Sequence, residues 1–360
     1  MARNVIYIAS TEELAGKSTI AIALALLARS LGHKVGYFKP IGLESSLSER
    51  REALDEDVKT VSTILNLKGE ASLVSPLTLK KNDFLEDLGK HDLSEYASKI
   101  AVAYRRASES KDTMLIEGGS NLSVGSVLGC SVPKLAADFG ARILLIARFK
   151  NDFVVDEILQ AQEYCSRWGV PLLGVILNRF PQNTLERANH VIRPLLEKNG
   201  VRVLGVIAED SALSALTVKD LHQVIGGRVL GGKDGMDKTF QTVLVGAMTP
   251  ESAMKYFRET KDELVITGGD RTDIIFAALE AGIAALILTG NLYPNVKILP
   301  RADDLTVPII LVPYDTYTTL QLIQRIVGRI KASDRKRINR AKALVKEHVD
   351  WKTILTGSSA

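Results

Sequence analysis

The sequence has only two cysteines, Cys130 and Cys165, and five histidines among 360 residues. Two distant cysteines provide neither a disulfide framework nor a CxxC redox pair, and the scattered histidines have no zinc-ligand spacing. This composition excludes a disulfide-stapled secreted scaffold and a zinc site. It favours a reducing cytosol.

Long hydrophobic runs are also missing. The N-terminal MARNVIYIAS is too short for the apolar region of a signal peptide, and no stretch reaches the ~18–20 apolar residues of a membrane span. Apolar residues make up 46% and charged residues 24% of the chain, which is ordinary for a globular protein and excludes a disordered or fibrous one. We therefore expect a soluble, cytoplasmic protein with two or three domains.

The net charge of +4 has its largest source near the C-terminus, where eight basic residues accompany one acid between Arg329 and Lys346. Such a run is typical of a solvated helix face or of a contact with an acidic patch, and a basic helix can also bind nucleic acid. No specific nucleic-acid motif accompanies it. We expect neither nucleic acid nor a membrane as a partner.

The first two hundred residues alternate short β-rich apolar runs with longer helical-period segments, which is typical of a parallel α/β sheet. The predicted strands are Asn4–Ala9, Lys34–Phe38, Thr113–Ile116, Arg142–Ala147, Leu172–Leu177 and Arg202–Ile207. The predicted helices are Lys17–Leu31, Leu93–Ser108, Val154–Trp168 and Thr184–Asn199.

A glycine-rich segment follows Asp210, and a second, smaller α/β pattern begins. Its predicted strands are Thr242–Val245, Leu264–Ile266, Ala284–Leu288 and Ile309–Val312, and its predicted helices are Glu251–Arg258, Arg271–Ala281 and Thr316–Ile330. The sequence therefore predicts a P-loop domain over residues 1–210, a second domain over 211–331, and a basic helix and tail over 332–360.

The first predicted strand runs through STEELAGKST into a helix. A strand, a tight loop and GKS at a helix start form the setting in which backbone N–H groups bind phosphate, with Lys17 on the β- and γ-phosphates and Ser18 on Mg²⁺. The glycine that usually opens this motif is replaced by Thr11 or, one residue earlier, Ser10. A plain helix N-cap with a solvated lysine stays open. The predicted nucleotide-binding residues here are Thr11, Glu12, Glu13, Leu14, Ala15, Gly16, Lys17, Ser18 and Thr19.

A P-loop site also needs a carboxylate at the end of a neighbouring strand to hold the metal. Glu117, which ends the run TMLIE, meets this need, although a glutamate before an ordinary turn would look the same. Lys39 leaves the second strand towards the same edge of the sheet. Asp55 and Asp57 open a helix, where acids are favoured by the helix dipole alone or could ligate a metal.

The segments IYIASTEELAGKST, GYFKPIG, DEDVKT, LIEGG and GVILNRF, in this order, resemble the dethiobiotin synthetase-type P-loop fold over residues 1–210. More closely, they resemble the version at the N-terminus of long bacterial phosphate acetyltransferases. The resemblance implies ATP and Mg²⁺ as cofactors, catalytic roles for Lys17, Lys39 and Glu117, and a metal site at Ser18, Glu117 and Asp57 (or Asp55). It also implies that Asn178 pairs with the adenine edge, where a simple turn asparagine is the alternative.

The segments GAMTPESAMKYF, VITGGDRTDIIFAAL, ILTGNLYP and VPYDTYTTLQLI resemble the DRTGG domain of the same acetyltransferases over residues 213–330. The resemblance implies an effector site or a subunit contact where the strands of this domain end. Turn and capping chemistry, with Asp270 and Asp315 as N-caps, is the alternative. The predicted effector residues are Gly268, Gly269, Asp270, Arg271, Thr289, Gly290, Asp315 and Thr316.

Three functions remain open at this point. The first is an ATP-binding regulatory or sensor protein, a homodimer whose DRTGG domain binds a small anionic effector or a partner subunit. The second is an ATP-dependent ligase or slow ATPase, acting on a small carboxylate or carbamate held by Lys39 and Lys17. The third is a scaffold with a degenerate P-loop. Because the sequence ends at Ala360, where an acetyltransferase domain would follow, we expect no acetyl transfer.

Overall fold

The computed structural model describes residues 2–43, 55–67, 71–79, 85–86, 93–259, 262–326 and 329–356. The chain forms two compact units. Met1–Asp210 and Ile330–Ala360 make the first, and Ser211–Arg329 make the second. The first unit is thus interrupted after Asp210, and the chain returns to it at Ile330. The C-terminal segment differs from the prediction, because it belongs to the first unit and does not form a separate helix and tail.

The first unit is built on a parallel sheet of six strands in the order β2-β5-β1-β6-β7-β8. The sheet is α/β as predicted, and its central strands are buried on both faces, which explains their unbroken apolar runs. A second, two-stranded sheet pairs β3 with β4. The strands of this unit are β1 Asn4–Ser10, β2 Val35–Phe38, β3 Ile41–Leu43, β4 Leu77–Leu79, β5 Thr113–Glu117, β6 Arg142–Arg148, β7 Leu172–Phe180 and β8 Val203–Ala208.

Helices connect these strands. The predicted helix Thr184–Asn199 is broken into a π-helical stretch, Ala188–Ile192, between two short α-helices. Pro194 follows that stretch, and its missing N–H disrupts regular α-helical bonding. The described helices of this part of the chain are Lys17–Ser30, Glu56–Ile64, Ala71–Val74, Leu93–Ser108, Val132–Phe139, Val154–Ser166, Leu185–Arg187 and Arg193–Lys198.

Two C-terminal helices, Arg335–His348 and Trp351–Thr356, complete the first unit. The longer one packs against Lys17–Ser30 and β8 through an apolar face and keeps its basic face outward. Between them the backbone N–H of Asp350 donates to the Leu204 carbonyl at 2.7 Å. Asn4 Nδ2 donates to the Leu355 carbonyl at 2.6 Å. These bonds attach the C-terminus to the amino ends of β1 and β8.

The second unit has a five-stranded sheet in the order β10-β15-β14-β13-β12, in which only β10 is antiparallel to its neighbour. A short antiparallel pair joins β9 and β11. The strands are β9 Leu216–Thr217, β10 Arg228–Gly231, β11 Thr239–Phe240, β12 Thr242–Val245, β13 Glu263–Gly268, β14 Ala285–Thr289 and β15 Ile309–Leu311. The described helices are Ser211–Ser214, Val218–Ile225, Pro250–Glu259, Thr272–Ala281, Ile298–Asp304 and Thr316–Ile326.

Residues 327 and 328 of the predicted helix Thr316–Ile330 lie outside the described residues. No helix in the described ranges combines the length and apolar character needed to cross a bilayer.

Candidate functional site

The loop between β1 and the helix Lys17–Ser30 has the backbone of an anion-binding turn. Gly16, at the N-cap of this helix, has φ 98°, a left-handed conformation that glycine adopts without strain. A Cβ at this position would lie 2.4 Å from Asn178 Nδ2, so a side chain would not fit. Because Gly16 has no side chain to cap the helix, the N–H groups of the first helical turn are available to an anionic ligand.

Lys17 is buried and donates a hydrogen bond from Nζ to Ser10 Oγ at 2.7 Å. Burial lowers the pKa of Lys17, Glu117 opposes this change, and Lys39 adds to it. Ser10 Oγ in turn donates to the Glu12 carbonyl at 2.6 Å. Ser10, at one of the two positions where a glycine is usual, therefore holds the lysine within the loop.

A buried ion cluster lies beside this loop, centred on Lys39. Lys39 Nζ is 2.8 Å from Asp55 Oδ2, 3.1 Å from Asp57 Oδ2 and 3.7 Å from Glu117 Oε1. Burial acts to lower the pKa of Lys39, but Asp57, Glu117 and Asp55 outweigh it and raise the pKa above its usual value. Lys39 therefore carries a firmly held positive charge at the end of β2.

Glu117, at the end of β5, accepts two hydrogen bonds of 2.8 Å, one on each carboxylate oxygen. Ser18 Oγ donates to Oε1, and Tyr37 OH donates to Oε2. Burial raises the pKa of Glu117, and Lys39 opposes this rise. Sequence reasoning missed Tyr37, although it precedes Lys39 by two residues and so shares its face of the strand.

Asp55 combines two roles that the sequence left as alternatives. It is the N-cap of the helix Glu56–Ile64, and its Oδ1 accepts the backbone N–H of Asp57 at 2.9 Å. Its other oxygen contacts Lys39. Asp57 is more exposed than Asp55, with 25% of its side chain accessible. Of the two acids, Asp57 is therefore the better placed to reach a bound ion.

The predicted metal ligands Ser18, Asp57 and Glu117 come together around the ion cluster. Within the described ranges, no group of three or more His, Cys, Asp or Glu side chains is arranged to hold a metal ion by itself. Proteins usually bind Mg²⁺ through one or two carboxylates together with phosphate oxygens and water. The hydroxyl of Ser18 and the carboxylate of Glu117 fit that role.

Asn178, at the end of β7, contacts the P-loop directly. Its Nδ2 donates to the Ala15 carbonyl at 2.8 Å, and the side chain is buried. In this arrangement Asn178 holds the phosphate-binding loop in place. The predicted pairing with adenine stays a prediction, and in this arrangement it would have to use the other amide atom, Oδ1.

The remaining predicted loop residues differ in their surroundings. Thr11 Oγ1 and Glu12 Oε1 are buried and have no hydrogen-bond partner among the residues that the structure describes. The other carboxylate oxygen of Glu12 forms an ion pair with Lys150. Glu13 is exposed and Ala15 is buried. Leu14 has φ 62°, so the loop contains a second left-handed residue.

In the second unit, the predicted effector residues meet only in part. Thr289 Oγ1 and Thr316 Oγ1 are 3.1 Å apart, which joins the ends of β14 and β15. Arg271, after β13, donates from Nη2 to the Met248 carbonyl at 2.9 Å and forms an ion pair with Asp273. Its guanidinium is therefore already engaged.

The two expected N-caps in this unit have different outcomes. Asp315 Oδ1 accepts the backbone N–H of Thr318 at 2.8 Å, which is the expected capping bond. The expected cap at Asp270 is wrong, because the helix Thr272–Ala281 has Arg271 as its N-cap. The Arg271 N–H donates to the Gly268 carbonyl at 3.1 Å, so the glycine turn uses this group internally.

Comparisons with known proteins agree with the division into two units. A family profile described as an AAA domain matches residues 4–217, and one described as a DRTGG domain matches residues 220–326. The phosphate acetyltransferase of Nitratidesulfovibrio vulgaris is 26% identical over 364 residues, which cover 96% of this chain and 50% of the relative. The phosphate acetyltransferase of Pseudomonas putida is 28% identical over 361 residues, with 96% and 50% covered.

The resemblance to the N-terminal half of long phosphate acetyltransferases is thereby confirmed, and the chain spans about half the length of these relatives. Similar solved structures include the CBS and DRTGG regulatory region of a Clostridium perfringens pyrophosphatase (TM-score 0.29, 16% identity, 48% of this chain and 87% of that one). MinD from Pyrococcus horikoshii in complex with Mg-ADP is another (TM-score 0.32, 17% identity, 59% and 83%). Both TM-scores are too low to support an argument about function.

Proposed function

Because this chain belongs to the AAA-domain family and carries a DRTGG domain after its P-loop domain, we propose that it is an ATP- and Mg²⁺-binding regulatory protein. In this function the first unit binds the nucleotide, and the second unit binds an anionic effector or a second copy of the chain. The observation that carries the proposal is the contact between Ser18 and Glu117 beside a P-loop with a left-handed Gly16.

Each residue of the site has a definite task in this proposal. The N–H groups at the start of the helix Lys17–Ser30 and the Lys17 ammonium bind the phosphates, which replace Ser10 Oγ as the partner of Lys17. Ser18 and Glu117 would hold the magnesium ion, which neutralises phosphate charge when it is bound. Asp57 lies within reach of the same place.

The contacts of Lys39 favour regulation over ligation. A ligase of the dethiobiotin synthetase type would use this lysine to hold a substrate carboxylate or carbamate. Here its ammonium group is paired with Asp55 and Asp57 and lies near Glu117. An anionic substrate would have to compete with these carboxylates, two of which are buried, and that competition costs binding energy.

Binding of Mg·ATP to the full chain tests the proposal. We expect Lys17→Ala to weaken binding at least tenfold, because charge-assisted hydrogen bonds of about 1.5–3 kcal/mol converge on the phosphates. Calorimetry with and without Mg²⁺ provides the measurement. Lys134→Ala is the matched control, because Lys134 is a half-buried lysine paired with Asp138 and is not part of the P-loop site. Equal ATP affinity in wild type and Lys17→Ala would exclude the P-loop site.

A further inference from the structure

Two arginines extend from neighbouring strand ends next to the P-loop. Arg148 ends β6 and lies opposite Asn178 in the parallel register with β7, and Arg179 follows Asn178 directly. Lys150, two residues after Arg148, forms the ion pair with Glu12 of the P-loop. Both arginine residues therefore lie at the edge of the sheet that carries the P-loop.

Neither guanidinium has a hydrogen-bond acceptor among the described residues. Arg148 Nε is fully buried and makes no hydrogen bond, and both side chains are half-buried. Burial lowers the pKa of Arg179, and the positive charge of Arg148 lowers it further. Glu209 is the carboxylate that opposes this change, and it is exposed. The two arginines thus stand at neighbouring strand ends, and the carboxylate that opposes the effect of Arg148 on Arg179 is exposed.

The backbone at Arg179 is unusual for an arginine. Its φ is 56°, in the left-handed region, and the pairing of β7 with β8 shifts register between Leu177 and Phe180. A bulge of this kind redirects a side chain out of the regular ladder, and strained residues of this sort cluster at binding sites. Phe149 directly follows Arg148 and Phe180 directly follows Arg179, and the centroids of their two rings are 4.5 Å apart.

Two half-buried like charges without acceptors destabilise a folded protein unless an anion joins them. A guanidinium presents parallel N–H donors that match the oxygens of phosphate or carboxylate. Two such groups supply two positive charges, which suits the dianion of a phosphate better than a single carboxylate.

We propose that Arg148 and Arg179 bind a phosphate group other than the phosphates that Lys17 contacts. This phosphate is either a free ion or an ester on a nucleotide whose own diphosphate occupies the P-loop. The site is a feature of this edge of the sheet and does not depend on the regulatory function proposed above.

Inorganic phosphate is the first probe, added to the full chain at constant ionic strength against chloride. A ligand that binds only the folded state raises the unfolding temperature, and the rise grows with the logarithm of the ligand concentration relative to its Kd. We expect phosphate to stabilise the wild type, and Arg148→Gln and Arg179→Gln to weaken its apparent affinity about tenfold or more. Lys17→Ala should retain phosphate binding, because the P-loop lysine is not part of this site.

A second probe separates the two sources of phosphate. If the group is a nucleotide ester, 3′-phospho-ADP binds the wild type about tenfold or more tightly than ADP does, and both Arg→Gln variants lose that preference. If the group is a free ion, phosphate and ADP bind together and the two nucleotides have equal affinity. Either result supports the site.

Matched variants make the test specific. Arg187→Gln removes an arginine that is paired with Asp152, and it should change neither measurement. Arg148→Lys and Arg179→Lys keep the positive charge and the fold but cannot donate two parallel hydrogen bonds to one phosphate. We therefore expect their phosphate affinity to lie between those of the wild type and the glutamine variants. The proposal is overturned if neither probe binds the wild type better than its reference. It is also overturned if Arg187→Gln weakens binding as much as the two glutamine variants do, or if only Lys17→Ala abolishes it.

Discussion

At the scale of single residues, the charge balance of the P-loop site favours the cation that we propose it binds. Two lysines, Lys17 and Lys39, face three carboxylates, Asp55, Asp57 and Glu117, and most of these groups are buried. A residual negative charge in a place shielded from water favours a further positive ion, and the oxygen atoms present are those that Mg²⁺ prefers. The pKa of Glu117 depends on the same neighbours, because burial raises it while Lys39 and Lys17 lower it.

The first prediction at this scale concerns the rate of ATP hydrolysis. Lone P-loop NTPases without an arginine finger turn over at about 10⁻⁴–10⁻² s⁻¹, and we expect wild-type ATPase activity in that range. Glu117→Gln should abolish it, because the neutral amide cannot hold a metal in the same way. Phosphate release provides the measurement, and Asp138→Asn is the surface control. Turnover above about 1 s⁻¹ without added substrate would contradict this account.

The second prediction at this scale concerns how the free energy of unfolding depends on pH. The pKa of Glu117 is higher in the folded than in the unfolded chain, because burial disfavours its charged form. Its contribution to the free energy of unfolding is therefore fully present below the usual glutamate pKa of about 4.3 and is lost as pH rises through the folded value. Relative to Glu117→Gln, the wild type should lose stability from pH 4 towards neutrality.

Urea unfolding at a series of pH values measures this difference. The same substitution at exposed Glu109 shows what a surface carboxyl contributes. A difference between wild type and Glu117→Gln that stays constant or grows with pH would show that Lys39 stabilises the charged form more than burial penalises it.

At the scale of secondary-structure elements, the first unit depends on helices that come from the far end of the chain. The helix Arg335–His348 buries Ile338, Ala341, Leu344 and Val345. Arg340 of the same helix pairs with Asp210 at 2.7 Å, at the point where the chain leaves the first unit. The basic helix thus packs through an apolar face and also contacts an acidic residue. Contact with acidic side chains was one of the interpretations that its composition allowed.

The C-terminal helices should therefore stabilise the first unit. Ile354 is fully buried, and Ile354→Ala should lower the free energy of unfolding by about 2–5 kcal/mol through the cavity that it leaves. Denaturant unfolding measures this loss. The exposed Lys346→Ala should change it by less than about 0.5 kcal/mol. A loss equally small in both variants would mean that these helices pack weakly.

At the scale of the whole molecule, exposed apolar side chains mark a surface of the second unit. Tyr293, Val296 and Tyr317 are 57%, 80% and 70% exposed and lie after the ends of β14 and β15. Aromatic side chains of this kind are enriched in protein interfaces. Shortening the chain after Ile207 would also remove the C-terminal helices of the first unit, so surface substitutions are the sharper way to examine assembly.

We expect the second unit to mediate self-association. The double variant Tyr293→Ser, Tyr317→Ser should weaken a dimer at least tenfold, since buried tyrosines often dominate interface energies. Arg271→Ala should weaken it as well. Sedimentation velocity of the full chain provides the measurement. Phe153→Ser, at a residue 69% exposed in the first unit, is the control. Dissociation by the control and not by the tyrosine variant would assign the interface to the P-loop domain.

The sequence alone determined the six strands of the main sheet of the first unit and the position of the P-loop. Periodicity and strand composition act over a few residues, so these six strands were predicted to within a few positions, whereas the three-residue strands β3 and β4 were not predicted. The GKS tripeptide at a helix start likewise identified Lys17 and Ser18 without any tertiary information. Pro194 was a local sign that the helix Thr184–Asn199 would be interrupted, but the helical periodicity of the surrounding residues predicted one continuous helix.

Only the tertiary structure decided which distant residues meet. The Tyr37–Glu117 hydrogen bond and the contact of Asn178 with Ala15 join positions 80 and 163 residues apart. Two larger features also depend on contacts between distant parts of the chain. They are the placement of β1 between β5 and β6 and the return of residues 330–356 to the first unit. Strand order and helix docking depend on burying complementary apolar faces across the whole chain, and no local pattern encodes which face is chosen.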